Sequence, residues 1–436
     1  MRRRSFLKSV TLGGVTAAIG PNLILGKGSN PSDRINAALI GARNMGGKTH
    51  LPTMVGEDRL QLRAICDVDK LVLKDALNVA HAGYAEKTNQ ASYKGIDGVG
   101  DYRELLTRDD IDAVVIATPD QWHVPMAKAF IKAGKSVYVE KPLSLFVTEG
   151  RELIELVDQH NAIVQVGTQR RSMDVMILAC ELLRNGVYGK IRHVDVNIGT
   201  RHGSADKWSP QPVPPELDYD MWVGPGQWTP YHPERVHYNF RFVSEYSGGD
   251  VTNYGAHYMD VALWGLGKAA SGPVIISGTG KRNPKGSLHD TYFDVDVDFK
   301  FSSGVTLNFS GTDRPWKEYV IIFHCENGTL QVNNNSLESN PRELLRTSRD
   351  AFPIRFRKTP GNHLPNWVEC VLKGKPEHLH APVEVGHQSA LGCHLVNIAM
   401  LTGRELKWDP DKERFQNDSG ANGLLTLPQR KQWLKF

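Results

Sequence analysis

The sequence predicts an α/β protein of two domains, the first wound on a parallel sheet and the second an α+β domain built on a largely antiparallel open sheet. Three observations predict it. From Arg34 onward, short apolar runs alternate with segments of helical spacing, as a parallel sheet with crossover helices demands. A glycine turn from Gly41 to Gly46 follows the first of those runs and precedes a helix-compatible segment. After about Gly189 the texture changes to single-residue alternation broken by Gly and Asn, the pattern of antiparallel strands. A chain of 436 residues is long for one core, which agrees with two domains.

In order along the chain, strands are expected at 35–40, 60–66, 113–117, 136–139 and 163–166. Amphipathic helices are expected at 102–107, 124–133 and 148–160, with Gly134 as a C-terminal cap. Alternating strands follow at 192–198, 292–301, 305–310 and 319–323. Between them, 208–241 is rich in Pro, Trp, Tyr and His and has little period; a loop this long is functional or an interface. Residues 363–401 return to helix, and 408–436 read as an irregular strap that packs back on the first domain. The resulting division is 1–32 for an address segment, 33–167 for the first domain and 168–436 for the second.

The formal charge is +4, yet Arg2, Arg3, Arg4, Lys8 and Lys27 lie in the first thirty residues without an acid. The remainder is close to neutral, so nothing in it favours a nucleic-acid or anionic-membrane partner. Arg3 and Arg4, followed by Phe6, Leu7 and a weakly apolar stretch at 10–19, have the twin-arginine form of an export signal. That stretch is too short for a bilayer, which needs about 20 residues. A periplasmic or envelope-associated protein, exported folded with its cofactor, is the expectation. The five cysteines form no paired motif and read as core fillers, and His378 with His380 is the one close histidine pair, so no metal site is expected.

The chemistry concentrates at a few points. Glu140-Lys141-Pro142 ends the apolar run 136–139, at a strand tip where such sheets bind ligands. In the glycine turn, Gly41 makes the tight bend and Gly46 starts the helix close to the sheet, with amides free for a pyrophosphate. Arg43 replaces the middle glycine of the usual fingerprint, and Asn44 and Met45 complete the turn. Asp67, 21 residues after Gly46, suits the adenosine ribose hydroxyls and favours NAD over NADP. Thr118, Pro119, Asp120, Trp122 and His123 form the expected floor under the cofactor, with Glu140, Lys141 and Gln169 beside it. A second cluster runs through Gly248, Gly249, Asn253, Tyr254 and His257, where His257 opens a helix next to glycines and supplies a second acid–base group. For substrate, Gln169, Arg170, Arg171, Trp228, Tyr231, His237, Arg241, Asn253 and Tyr254 offer ring faces and donors of the kind a carbohydrate pocket uses.

Together the glycine turn, the Thr118-Pro119-Asp120 element with His123, the Glu140-Lys141-Pro142 tripeptide and the Gly255-x-His257 segment resemble the Gfo/Idh/MocA family of nicotinamide-dependent oxidoreductases. The resemblance implies an N-terminal Rossmann domain, a C-terminal sheet that covers the nicotinamide, catalytic roles for Lys141 and His257, sugar or cyclic polyol substrates, and homodimers or tetramers. One departure stands out: many members carry aspartate four residues before the histidine, and this chain carries Asn253. Because a free lysine titrates near about pH 10.4 and histidine near about 6.5, His257 is expected as the principal base and Lys141 as a polarising donor. Three functions follow as expectations: a sugar oxidoreductase with bound, internally recycled NAD; a redox-neutral NAD-dependent glycoside hydrolase; and an inactive NAD-binding scaffold.

Overall fold

The computed structural model describes residues 34–270, 272–311, 319–358 and 363–434; the export signal read at 1–32 lies outside them. The first sheet has six parallel strands: β1 (Ile35–Ile40), β2 (Leu60–Cys66), β3 (Asp97–Val99), β4 (Ala113–Ile116), β5 (Ser136–Val139) and β6 (Val164–Val166). Their order is β3-β2-β1-β4-β5-β6, with β1 between β2 and β4. The winding therefore reverses at β1 and β4, where the crevice of a doubly wound sheet opens. Every residue of β4 is buried because helices cover both faces, which is why it reads as an unbroken apolar run. Strand β3 was not anticipated: it is a three-residue edge strand without an apolar pattern.

Helices α1 (Leu51–Gly56), α2 (Lys70–Thr88), α3 (His123–Lys132) and α4 (Val147–His160) supply the crossovers. The expected helix at 102–107 is a single 3₁₀ turn, Tyr102–Leu105, begun by the Asp101 side chain on the Arg103 amide. Gly134 ends α3 with a φ of 75°, and its amide bonds the Ile131 carbonyl.

The second sheet has nine strands: β7 (Ile191–Asn197), β8 (Pro273–Arg282), β9 (Tyr292–Phe301), β10 (Thr306–Gly311), β11 (Val320–Cys325), β12 (Gly328–Val332), β13 (Leu337–Asn340), β14 (Leu406–Asp409) and β15 (Arg414–Phe415). The order is β13-β12-β11-β7-β10-β9-β8-β14-β15, antiparallel except for β7 with β10. Helices α5 (Asp174–Arg184) and α8 (Gly255–Leu266), together with α10 (Val383–Thr402), pack on its inner face around Phe299, Phe309, Phe323 and Trp408. Between α5 and α8 lie two short helices, α6 (Tyr219–Val223) and α7 (Asp250–Asn253). Helix α9 (His363–Lys373) returns to the first sheet, where Trp367 meets Tyr138 edge-on and His363 Nε2 lies 2.8 Å from the Val166 carbonyl. The five cysteines are unpaired. Among the described residues, no helix is long and apolar enough to cross a membrane, and no group of three or more metal-ligating side chains occurs.

Candidate active site

A partly open cavity lies over the tips of β1, β2, β4 and β5, and residues of both domains line it. Gly41 leaves β1 at a φ of 81°, and a Cβ there would stand 2.7 Å from the Ala117 carbonyl oxygen. A Cβ on Gly46 would stand 1.8 Å from the Gly41 carbonyl oxygen. The turn can thus close only with glycine at both ends, and Arg43, Asn44 and Met45 between them line the cavity. Asp67 lines it too; its carboxylate accepts the Ala42 and Asp69 amides at 2.8 and 3.0 Å. Burial nevertheless pushes its pKa up to about 6. Glycine turn, acid and cavity together fit a dinucleotide, with Asp67 placed for ribose hydroxyls. Asp69, which the sequence reading passed over, caps α2 and lies 3.6 Å from Arg43 Nη1 and 4.0 Å from His237 Nε2. The cap position before an amphipathic stretch was its available signal.

Glu140 and Lys141 form the opposite wall. The Lys141 ammonium donates to the Asn253 side-chain oxygen at 2.9 Å and to its carbonyl at 3.0 Å, so the sequence-distant pair meets across the domains. Burial, reinforced by Arg241 and Arg170, pulls Lys141 down to about 8 against the pull of Glu140 and Asp120. His257 follows Asn253 by four residues, the spacing that shares a helical face, across the join of α7 and α8. It is buried, and burial together with Arg170 and Lys141 holds its pKa well below the usual imidazole value. Its Nδ1 has no hydrogen-bond partner among the described residues. The expectation of His257 as base and Lys141 as donor is therefore at odds with this environment, because low-dielectric surroundings beside cations penalise a charged imidazole.

The remaining candidates separate. Thr118, Pro119, Asp120 and Trp122 line the cavity, and Asp120 accepts Ser247 Oγ at 2.6 Å. His123 does not line it; its ring nitrogens sit 2.7 Å from the Pro142 carbonyl and 2.9 Å from that of Thr118, holding the two loops together. Gln169 lies beneath the wall and donates to Glu140 Oε1 at 2.7 Å. Arg170, buried, spans Asn334 Oδ1 at 2.9 Å and the face of Tyr258. Arg171 is instead locked onto Asp260 at 2.8 Å and over Trp264. Arg241 lines the cavity with its guanidinium 3.8 Å over Tyr238, whereas His237 lies at the Asp69 end rather than on the lysine side. Tyr254 stacks on Tyr319 under Arg201. Two aromatic candidates lie elsewhere: Trp228 is 53% exposed against Tyr219, and Tyr231 is buried edge-on to the same ring.

The aperiodic segment 208–241 forms a cover. Asp218 N bonds the Val68 carbonyl and Lys70 N the Glu216 carbonyl, so the cover docks on the tip of β2. Trp122 Nε1 donates to the Met221 carbonyl at 2.9 Å, and a Cβ on Gly224 would stand 2.2 Å from the Trp122 ring. Met221, Trp222, Phe240 and Arg241 consequently line the cavity. The C-terminal strap fastens this cover: Arg430 donates to the Gly224 carbonyl at 3.2 Å, and Trp433 meets Trp122 edge-on.

This architecture defines a two-domain, dinucleotide-binding α/β protein. A family model described as "Oxidoreductase family, NAD-binding Rossmann fold" matches residues 35–168, and one described as "Oxidoreductase family, C-terminal alpha/beta domain" matches residues 196–435. The chain belongs to the Gfo/Idh/MocA oxidoreductase family, and its cofactor is NAD. A "Glycosyl hydrolase family 109 protein 1" of Shewanella sp. (strain ANA-3) is 34% identical over 212 residues, 44% of this chain and 45% of that protein. The chain thus matches less than half the length of that curated relative. Among solved structures, the WlbA dehydrogenase of Bordetella pertussis in complex with NADH and UDP-GlcNAcA shares the fold at a TM-score of 0.61 and 19% identity, covering 86% of this chain and 99% of that one. The aldose-aldose oxidoreductase of Caulobacter crescentus shares it at a TM-score of 0.58 and 16% identity, with the same coverage.

Proposed function

We propose that the protein oxidises a secondary hydroxyl of a sugar or cyclic polyol with NAD and restores the cofactor to its starting state within each catalytic cycle. The observation that carries this reading is the Lys141 amine held on Asn253 in the wall of the cavity, one helical turn from His257. In the neutral amine the two N–H bonds stay on Asn253, which leaves the nitrogen lone pair for the proton of a substrate hydroxyl. An amine poised near 8 takes that proton as the C–H bond breaks, and Lys141 rather than His257 is the base. His257, neutral in its buried setting, orients the hydroxyl by hydrogen bonding. Bound NAD supplies the hydride acceptor. Asn253 positions the amine but holds no proton of its own.

Two features support internal recycling. The cover and strap close over the cavity, which favours a retained cofactor. The proposed twin-arginine route delivers the folded protein to a periplasm without a maintained nicotinamide pool. The aldose-aldose oxidoreductase among the structural neighbours bears a name consistent with such a cycle. A second reading, redox-neutral glycoside hydrolysis by oxidation, elimination, hydration and reduction, is favoured by the glycosyl hydrolase family 109 relatives. The test is to denature the purified protein without added cofactor, identify the released dinucleotide, and then offer the holo form sugars and glycosides. A reduced second sugar in stoichiometric amount supports the first reading, and net release of aglycone the second. A bound nicotinamide whose absorbance never changes with any of them excludes both.

A further inference from the structure

His50 has no part in the chemistry described so far, yet it is buried at the end of the helical turn Gly46–His50 that follows the glycine turn. Its Nε2 lies 2.8 Å from Glu140 Oε1, with both side chains at most 5% exposed. The same oxygen accepts Gln169 Nε2 at 2.7 Å, and Oε2 accepts the Lys141 amide at 3.2 Å. The space for this carboxylate exists because residue 167 is glycine: a Cβ there would stand 2.6 Å from Glu140 Oε1. A carboxylate this deeply buried persists as an anion only when donors and positive charge surround it. Around the pair stand Tyr138 on β5, met edge-on by the His50 ring, then Lys141 and His123 beyond Glu140, and His363 on α9 against Tyr138. Glu140 is the principal group drawing Lys141 toward its charged form.

We propose that His50 is a positioning residue for Lys141: it holds the Glu140 carboxylate against the Lys141 backbone amide and so joins that residue to the helical turn after the glycine turn. The linkage runs from the glycine turn, through one imidazole and one carboxylate, to the residue that handles the proton. The inference rests on the reading of Lys141 as the proton-handling amine.

The test reads the amine directly, in the purified full chain with its dinucleotide bound. Competitive acylation of Lys141 with acetic anhydride is followed across pH by peptide mass spectrometry, which gives the midpoint of deprotonation without any sugar present. In His50→Leu the carboxylate loses its imidazole partner, keeps only Gln169 and the Lys141 amide, and takes up a proton, and the midpoint falls by about one pH unit, a tenfold change in the neutral fraction below it. His50→Gln, which keeps a donor, restores most of the difference. Glu140→Gln lowers the midpoint similarly, and adding His50→Leu to it lowers it no further. An unchanged midpoint in Glu140→Gln, an equal fall in His50→Gln and His50→Leu, or additive shifts in the double variant would each overturn the proposal. Because no turnover is measured, a protein inert toward every sugar leaves this outcome readable, so failure of the functional reading and failure of this one are told apart.

Discussion

At residue scale, the site turns on an amine whose nearest neighbour is an amide instead of a carboxylate. An Asn253→Asp variant places a negative charge within 3 Å of Lys141 Nζ, which favours the ammonium. The pH at which sugar oxidation begins should therefore move up by about 1 to 3 pH units. In the unaltered protein, a pKa lowered to about 8 means that the active, neutral amine is scarce below that pH and accumulates above it. The single-turnover oxidation rate should accordingly rise through pH 8 and level off, and a flat profile from pH 6 to 9 would remove Lys141 as base. Lys141→Met should lower that rate by about 10² to 10⁴ while NAD remains bound. Asp67 works in the opposite sense: its pKa is raised to about 6, so its charge is lost as pH falls through 6. NAD retention, measured by equilibrium dialysis, should weaken below that pH and be restored above it.

At the scale of elements, the glycine turn was legible because its chemistry is local: a strand, a left-handed residue and a helix start follow one another in the chain. Gly41→Ala forces a side chain into a left-handed backbone 2.7 Å from the Ala117 carbonyl, at a cost of about 1–3 kcal/mol. It should lower the melting temperature and reduce the dinucleotide recovered per chain, both measurable on the same preparation. The strands β1, β2 and β5 lie where their mostly apolar runs place them, since both of their faces are largely buried. The edge strand β3 has no such burial and hence no signature. The cover carries no period because its residues are ordered by separate contacts, the tip of β2, Trp122 and the strap, instead of by one repeated face.

For the whole molecule, the C-terminal strap joins parts that are far apart in sequence. Gln429 donates to Glu149 of α4 at 2.8 Å, Arg430 bonds the cover, and Trp433 rests on Trp122 and beneath the Arg103 guanidinium. Ending the chain at Leu427 removes these contacts without touching the cavity lining. Exchange of bound NAD for labelled NAD should then accelerate by roughly tenfold for each 1.4 kcal/mol of closure lost. Unchanged exchange would show that the cover holds without its strap.

The sequence alone determined the α/β class of the two domains, and it located the glycine turn, the acid at the second strand tip, the lysine after the Glu140 strand and the histidine at a helix start. Those features are written in residue type and spacing along short stretches. Only the tertiary structure decided that Asn253 grips Lys141, that His50 stands behind Glu140, that Arg171 is held by Asp260 and Tyr231 by Tyr219, and that burial pulls both Lys141 and His257 toward their neutral forms. Each of these depends on burial and on partners some 90 to 110 positions away or brought in by another element, and a low-dielectric pocket assembled from both domains has no counterpart in the linear order of residues.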